Sequence, residues 1–169
     1  ETIECWEHAL KSSKTPSVLS LTRQNLNPIR KKISNTNKCS LGAYEVLRTN
    51  KKIQLTILAS GSEVNLAIET SHKLAKDKIY SKVISMPCHD LFELQSNSYK
   101  QEIINETKIK VSIEAASTDY WKKYVGIDGL TFGIDSFGKS APFKEIYKHF
   151  GLTVANIANK SKRLIRKKI

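Results

Sequence analysis

Residues 133–140 read Gly-Ile-Asp-Ser-Phe-Gly-Lys-Ser and satisfy the phosphate-loop pattern G-x-x-x-x-G-K-[ST] at every position. In that chemistry backbone amides cradle the phosphates of a nucleotide, Lys139 reaches the outer phosphates and Ser140 holds magnesium. The motif follows a strand-like segment, Leu130–Phe132, and precedes a helical pattern, as a phosphate loop should. Such a loop normally follows the first strand of its domain, however, and an acidic residue ends a neighbouring strand to organise the metal. Here the motif follows the last strand, and the one acidic candidate, Glu114, lies inside a strand pattern. Pro142 suits the first turn of a helix that begins there; a phosphate-loop helix starts at the Gly-Lys pair and would place this proline deeper, where its missing N–H matters. The plainer reading is a strand-to-helix turn. A nucleotide- or phosphate-binding module at this turn is the alternative.

Other reactive residue types are weaker signals. Cys88-His89-Asp90 could supply a thiol nucleophile or a metal pair, but adjacent residues rarely converge on one atom, so a loop after a strand is favoured. Cys5 and His8 stand one helical turn apart, and two ligands do not complete a metal site. Glu63 fits a capping box, Ser60-Gly-Ser-Glu63, better than a catalytic acid. Trp121 and Tyr124 share a helical face and, with Tyr120, read as core and interface rather than a base-stacking platform. The basic end (Lys160, Lys162, Arg163, Arg166–Lys168) suits a helix C-terminus and needs neither RNA nor an acidic membrane to explain it.

These groups have to be positioned by a chain of 169 residues, long enough for one good core. A net charge of +12 permits nucleic-acid binding, but the lysines are dispersed and no recognised nucleic-acid motif accompanies them. No apolar run is long enough to span a bilayer, and the start at Glu1 lacks the order of a signal peptide. Three separated cysteines suit a reducing cytoplasm. The chain begins without methionine, as a fragment would.

The elements follow from periodicity. Thr2–Leu10 is an amphipathic helix with Ile3, Trp6 and Leu10 on one face, and residues 17–23 read as a buried strand. Asn25–Ser40, rich in Asn and Ser and carrying Arg30-Lys31-Lys32, reads as a linker. Strands are expected at Tyr44–Leu47, Gln54–Ala59, Lys82–Met86, Lys110–Ala115 and Leu130–Ile134. Helices are expected from Val64, over Asp90–Gln95, Tyr99–Ile104, Thr118–Val125 and Ala141–Phe150, and from Thr153, with Gly151 as a C-cap. Strands alternating with helices give an α/β layer fold: a three-layer α/β/α sandwich on a mixed, mostly parallel five-stranded sheet, with Tyr44–Leu47 antiparallel.

Asp135-Ser-Phe-Gly-Lys-Ser-Ala-Pro142, followed by Phe150-Gly-Leu-Thr-Val154, resembles the C-terminal signature of the transketolases, Phe-Gly-x-Ser-Ala-Pro, a helix, then Phe-Gly-x-Thr-Val. Four further segments agree in order: Leu21-Thr-Arg-Gln-Asn-Leu26, Ala59-Ser-Gly-Ser-Glu-Val64, Val83-Ile-Ser-Met-Pro87 and Asp119-Tyr-Trp-Lys-Lys-Tyr-Val-Gly126. Lys139 stands where the family usually has Ala or Glu, so the phosphate-loop match reduces to one lysine on a structural turn.

The resemblance implies a great deal about function. Transketolases move a two-carbon ketol unit between sugar phosphates in the pentose phosphate pathway, using thiamine diphosphate and a divalent metal such as Mg2+. Their active site lies between the first two of three domains, across a homodimer. The chain then divides into residues 1–26, the tail of the pyrimidine-binding domain; 27–40, a linker; and 41–169, the C-terminal domain. The metal–diphosphate motif is missing, since Gly126-Ile-Asp-Gly129 has the wrong spacing. No catalytic, cofactor-binding or metal-binding residue is therefore expected. Arg23 alone carries over, as the arginine that grips the substrate phosphate with paired hydrogen bonds. The expected activity of the segment by itself is none; its expected role is packing and dimerisation in a cytoplasmic enzyme that needs neither nucleic acid nor membrane. One subunit of a split transketolase is a second possibility. Apolar surface should remain on the first helix and strand, because half a layer has lost its partner, with association or disorder expected over residues 1–35.

Overall fold

A computed structural model describes residues 1–30 and 35–168, so Lys31 and Lys32 of the basic triplet and residues 31–34 of the expected linker lie outside the described residues. Five strands form one sheet: β1 (Tyr44–Arg48), β2 (Leu55–Ala59), β3 (Ser81–Ser85), β4 (Ile109–Ile113) and β5 (Leu130–Phe132). Their spatial order is β1-β3-β2-β4-β5. β2, β3, β4 and β5 run parallel, and β1 pairs antiparallel with β3, Tyr44 opposite Ser85. The expected sheet is therefore the observed one, each strand within two residues of its sequence-derived bounds.

Alternation along the pleat divides the core in two. Leu55, Ile57 and Ala59 of β2, with Val83, Val111 and Ile113, face α2 (Glu63–Lys76) and α7 (Val154–Lys168). Leu58 and Ile84 point the other way, onto α3 (His89–Glu93), α4 (Asn97–Ile104) and α5 (Asp119–Val125), through Phe92, Ile103, Ile104, Trp121 and Tyr124. Both faces are covered, as a parallel sheet requires. α6 (Phe143–His149) ends in a Schellman turn: Gly151 sits at φ +74, its N–H bonds Lys148 O at 3.2 Å, and Leu152 N–H bonds Tyr147 O at 2.8 Å.

Among the described residues, a lysine and a glutamate, Lys82 and Glu63, carry ionisable groups into the interior. Lys82 is 1% exposed, and its ammonium donates to Glu102 O at 2.7 Å and to the Glu106 carboxylate at 2.9 Å. Arg48 holds Glu106 through two 2.7 Å hydrogen bonds, which keeps that carboxyl at about 2, below its usual range.

The first thirty residues are organised differently. α1 (Thr2–Lys11) forms as expected but buries no residue, and Ile3 is 85% exposed. Residues 17–23 form no strand, and Val18 is 96% exposed. The expectation of a buried strand fails for a physical reason: a strand needs a neighbour to accept its backbone hydrogen bonds, and no described strand lies beside this segment. The apolar residues left bare here, Ile3, Trp6, Leu10, Val18, Leu21 and Leu26, are those expected of a half-layer without its partner.

Candidate functional site

The carboxyl ends of parallel strands are where α/β sheets place ligands, most often where neighbouring strands lead to helices on opposite faces. In this sheet that point lies between β2 and β4, whose chains continue into α2 on one face and α5 on the other. Ser60 leaves β2 and Glu114 leaves β4, and the Ser60 hydroxyl donates to Glu114 Oε2 at 2.5 Å. Burial pushes the Glu114 carboxyl up to about 7 against the pull of that hydrogen bond, and the nearby Glu63 charge adds to the rise. Glu63 is itself buried, accepting from Ser62 Oγ at 2.8 Å and from the Tyr147 hydroxyl.

This arrangement overturns the capping-box expectation. The Ser60 side chain does not cap α2, and Glu63 does not reach back to a backbone N–H; only the Ser60 carbonyl accepts from Glu63 N–H, at 3.1 Å. A half-buried carboxyl at the end of the adjacent strand is the stronger partner for the hydroxyl, because leaving it unpaired would cost more than an open helix end.

The segment carrying Arg23 runs along the same rim. Gln24 Nε2 lies 3.5 Å from the Tyr147 hydroxyl, and Asn65 Nδ2 donates to Asn27 O at 3.3 Å. Gln24 N–H bonds Thr22 Oγ1 at 3.2 Å and forms the bend on which Arg23 sits. Arg23 is exposed, and its guanidinium meets no carboxylate among the described residues. An unpaired guanidinium on an open bend is chemically available to an incoming phosphate. The structure thus brings the Arg23 segment, Glu63 and Glu114 to one edge.

The Gly133–Ser140 turn reaches this edge as well, without the geometry of a phosphate cradle. Its helix begins only at Phe143, with Pro142 as the N-cap, so no helix N-terminus meets Gly138 and Lys139. Residues 135–145 are exposed, and Phe137 stands 96% in solvent. Asp135 accepts hydrogen bonds from Thr118 N and Oγ1, both at 2.8 Å, and so ties the turn to the start of α5. Gly133 is required by packing: a Cβ there would lie 2.5 Å from Ala116 O.

The remaining candidates resolve in the same way. His89 packs among Tyr120, Trp121 and Tyr124, burial holds its imidazole down near 4, and Cys88 is the N-cap of α3, so the pair forms no catalytic couple. Cys5 and Cys39 meet at the Glu1 carbonyl, which takes the Cys5 N–H at 2.8 Å and the Cys39 thiol at 3.7 Å, a contact that periodicity could not reveal because the linker between them sets no distance. Lys162 pairs with Asp77, Lys168 with Asp128, and Lys160 lies over the Phe132 ring. Among the described residues, no group of three or more His, Cys, Asp or Glu side chains could hold a metal, and no helix is long and apolar enough to cross a membrane. The donor set does not fit a magnesium diphosphate either: Asp128, in the Gly126–Gly129 run, is occupied by Lys168. Sequence reasoning missed the Ser60–Glu114 and Tyr147–Glu63 pairs; a carboxylate inside an apolar strand pattern was the available signal for the first, and none existed for the second.

Residues 42–153 match the transketolase-like TK C-terminal domain family. The chain is 42% identical over 173 residues to the transketolase of Bacillus subtilis, covering 99% of this chain and 26% of the relative, and 39% identical to that of Sinorhizobium medicae, covering 99% and 24%. A solved transketolase from Leishmania mexicana superimposes with a TM-score of 0.87 at 36% identity, covering 99% of this chain and 24% of that one. The chain spans about a quarter of the length of the curated relatives it matches.

Proposed function

The chain belongs to the transketolase family, and from that footing we propose that it forms the C-terminal part of a transketolase, a thiamine-diphosphate-dependent transferase of two-carbon ketol units between sugar phosphates. Residues 1–26 are then the tail of the pyrimidine-binding domain, 27–40 a linker, and 41–169 the C-terminal domain. Arg23 grips the sugar phosphate. Thiamine diphosphate and Mg2+ belong to the rest of a cytoplasmic homodimer; the segment alone is inactive and contributes packing and dimer contacts.

The observation that carries this reading is the contrast between two kinds of surface in one chain. The match to transketolases runs through the whole sequence, yet the apolar face of α1 and of residues 17–26 is left open. A half-built layer of that kind implies a larger body on which it closes. Arg23, on the open side and free of protein anions among the described residues, then faces that body. Guanidinium supplies paired donors to a phosphate's oxygens, so the arginine orients the far end of the sugar and leaves the chemistry to groups elsewhere.

The test joins residues 1–169 to the preceding three quarters of the Bacillus subtilis relative and measures ketol transfer between sugar phosphates. The joined protein should be active and the segment alone inactive. Arg23→Ala should raise KM for phosphorylated sugars by roughly ten- to a hundredfold, the range of a lost charge-assisted pair. It should leave kcat for an unphosphorylated acceptor unchanged. Equal losses with both substrates would remove Arg23 from the phosphate site, and activity of the isolated segment would refute the division of labour.

A further inference from the structure

Cys39 opens a 3-10 turn (Cys39–Leu41) against the first turn of α1. The Glu1 carbonyl accepts the N–H of Cys5 at 2.8 Å and also the thiol of Cys39 at 3.7 Å, so one oxygen touches both cysteines. Cys39 N–H donates to Glu4 Oε2 at 3.2 Å, and Glu4 is in turn held by Arg30 at 2.8 Å. Both cysteines therefore sit against the same carbonyl in the first turn of α1, with Cys39 the first influence on the Cys5 thiol. Cys39 is buried, while Cys5 is half-exposed. This is a half-exposed thiol able to attack beside a buried thiol able to resolve, the arrangement of redox-responsive pairs.

We infer that Cys5 and Cys39 form a peroxide-responsive dithiol that closes into a disulfide, fastening α1 to the entry of the sheet domain. The Cys5 thiolate attacks one oxygen of a hydroperoxide; the O–O bond breaks, the sulfur becomes a sulfenic acid, and the departing oxygen leaves as hydroxide or alkoxide. The Cys39 sulfur then attacks the Cys5 sulfur. The S–S bond forms, the S–O bond breaks, and the Cys39 proton leaves with the oxygen as water. Two thiols lose two electrons in all, and one peroxide gains them. A small dithiol reverses the reaction by exchange.

The surroundings favour this order of events. The hydrogen bond from Cys39 lowers the Cys5 thiol to about 7, against burial and the Glu1 and Glu4 carboxylates that push it up. Cys39 is held well above the ordinary thiol range, by the bond to Cys5 first and then by burial and Glu4. The other charged and titratable groups facing the pair are the Glu1 ammonium, which also lowers the Cys5 thiol, Arg30 from the linker and Tyr44 from β1. At neutral pH the exposed thiol is therefore the nucleophile and the buried one the resolver. Cys88, the third cysteine, lies beyond β3 at the start of α3 and takes no part.

The experiment treats the 169-residue chain with equimolar hydrogen peroxide at pH 8, quenches with an alkylating agent and maps the products without reductant. Trypsin should yield residues 1–11 joined to residues 39–48, with two of the three cysteines protected from alkylation and dithiothreitol restoring both. Cleavage after Arg23 should leave the N-terminal piece attached until reduction. Closure should slow about tenfold between pH 8 and pH 6, as the Cys5 thiolate is lost. Cys39→Ser should abolish the link and leave Cys5 as sulfenic acid at one equivalent of peroxide, carried on to sulfinic acid by a second equivalent, whereas Cys88→Ser should change nothing. Should Cys39→Ser not fold, the exposed Cys5→Ser and the wild-type map decide the matter. A link through Cys88, bonds between chains, or separately oxidised cysteines without an internal bridge would each overturn the inference.

Discussion

The first thirty residues and the five-stranded sheet with its covering helices use the same kinds of apolar side chain and reach opposite outcomes. Ile57 on β2 is 0% exposed, whereas Ile3 on α1 shows most of its surface to water. Both lie in patterns that mark a buried face. The difference is that Ile57 has α2 and α7 above it in the same chain, while among the described residues nothing covers Ile3. An amphipathic pattern states which face wants a partner; burial follows only where the chain supplies one.

The comparison breaks most sharply at Gly42, where the domain admits no change. This residue has φ +76, and a Cβ there would stand 2.1 Å from Phe92 N and 2.5 Å from Cys88 O. Gly42→Ala should cost about 4 kcal/mol or more, since backbone must move and a left-handed conformation must be forced. Val18→Ala, in the open segment, should stay within about 0.5 kcal/mol. Urea denaturation of both variants checks this; comparable losses would mean the open segment is packed after all.

Next in size is the pair of isoleucines. Ile57→Ala should destabilise by about 3 kcal/mol through lost burial and the cavity left behind. Ile3→Ala in the same chain should cost almost nothing. Joined to the remaining three quarters of a transketolase, Ile3→Ala should cost about 1–2 kcal/mol, because the face is then covered. Thermal denaturation of the two forms reads the difference, and no change on joining would leave the half-layer idea without support.

What could be read in advance divides along the same line. The five strands and the helices of the domain were legible because hydrophobic period, Gly151 and Pro142 are local signals, and here local and tertiary preferences agree. Residues 17–23 carried the letters of a strand, but a strand is a relation between two segments and one of them is not described beside it. The Ser60–Glu63 box matched letter by letter and still failed, since Glu114, far along the chain, competes for the hydroxyl. Arg23 was named only through its motif, Leu21-Thr-Arg-Gln-Asn-Leu26; nothing in composition distinguishes it from the other basic residues. The Cys5–Cys39 contact crosses a linker whose length gives no distance. Position in space, rather than residue type, was the missing quantity in each case.

Within the domain, Glu114 provides an effect of about 3 kcal/mol with a defined pH window. Its folded carboxyl titrates near 7 and its unfolded one near 4.5. Below 4.5 both states hold the proton. As pH rises from there, the unfolded chain ionises first, so stability falls until about pH 7 and then levels. Glu114→Gln, which can still accept from Ser60, should leave stability unchanged at pH 4 and raise it by about 2–3 kcal/mol at pH 8. Denaturation at both values decides it; an equal effect at each would mean that packing, rather than charge, sets the cost.

The smallest effect concerns the seam where the two regions meet. Tyr147 donates to buried Glu63 and lies 3.5 Å from Gln24 Nε2, at the outer limit of a hydrogen bond. Tyr147→Phe should therefore cost about 1–2 kcal/mol, because Glu63 keeps Ser62 but loses a charge-assisted partner. Gln24→Ala should cost a few tenths, since its amide can turn to water. In the double variant the two losses should add within about 0.3 kcal/mol, as for sites that barely interact. A coupling above about 1 kcal/mol would show that the Arg23 segment is fastened to the sheet domain through this tyrosine, and the contrast between an open strap and a closed core would then have to be redrawn at Gln24.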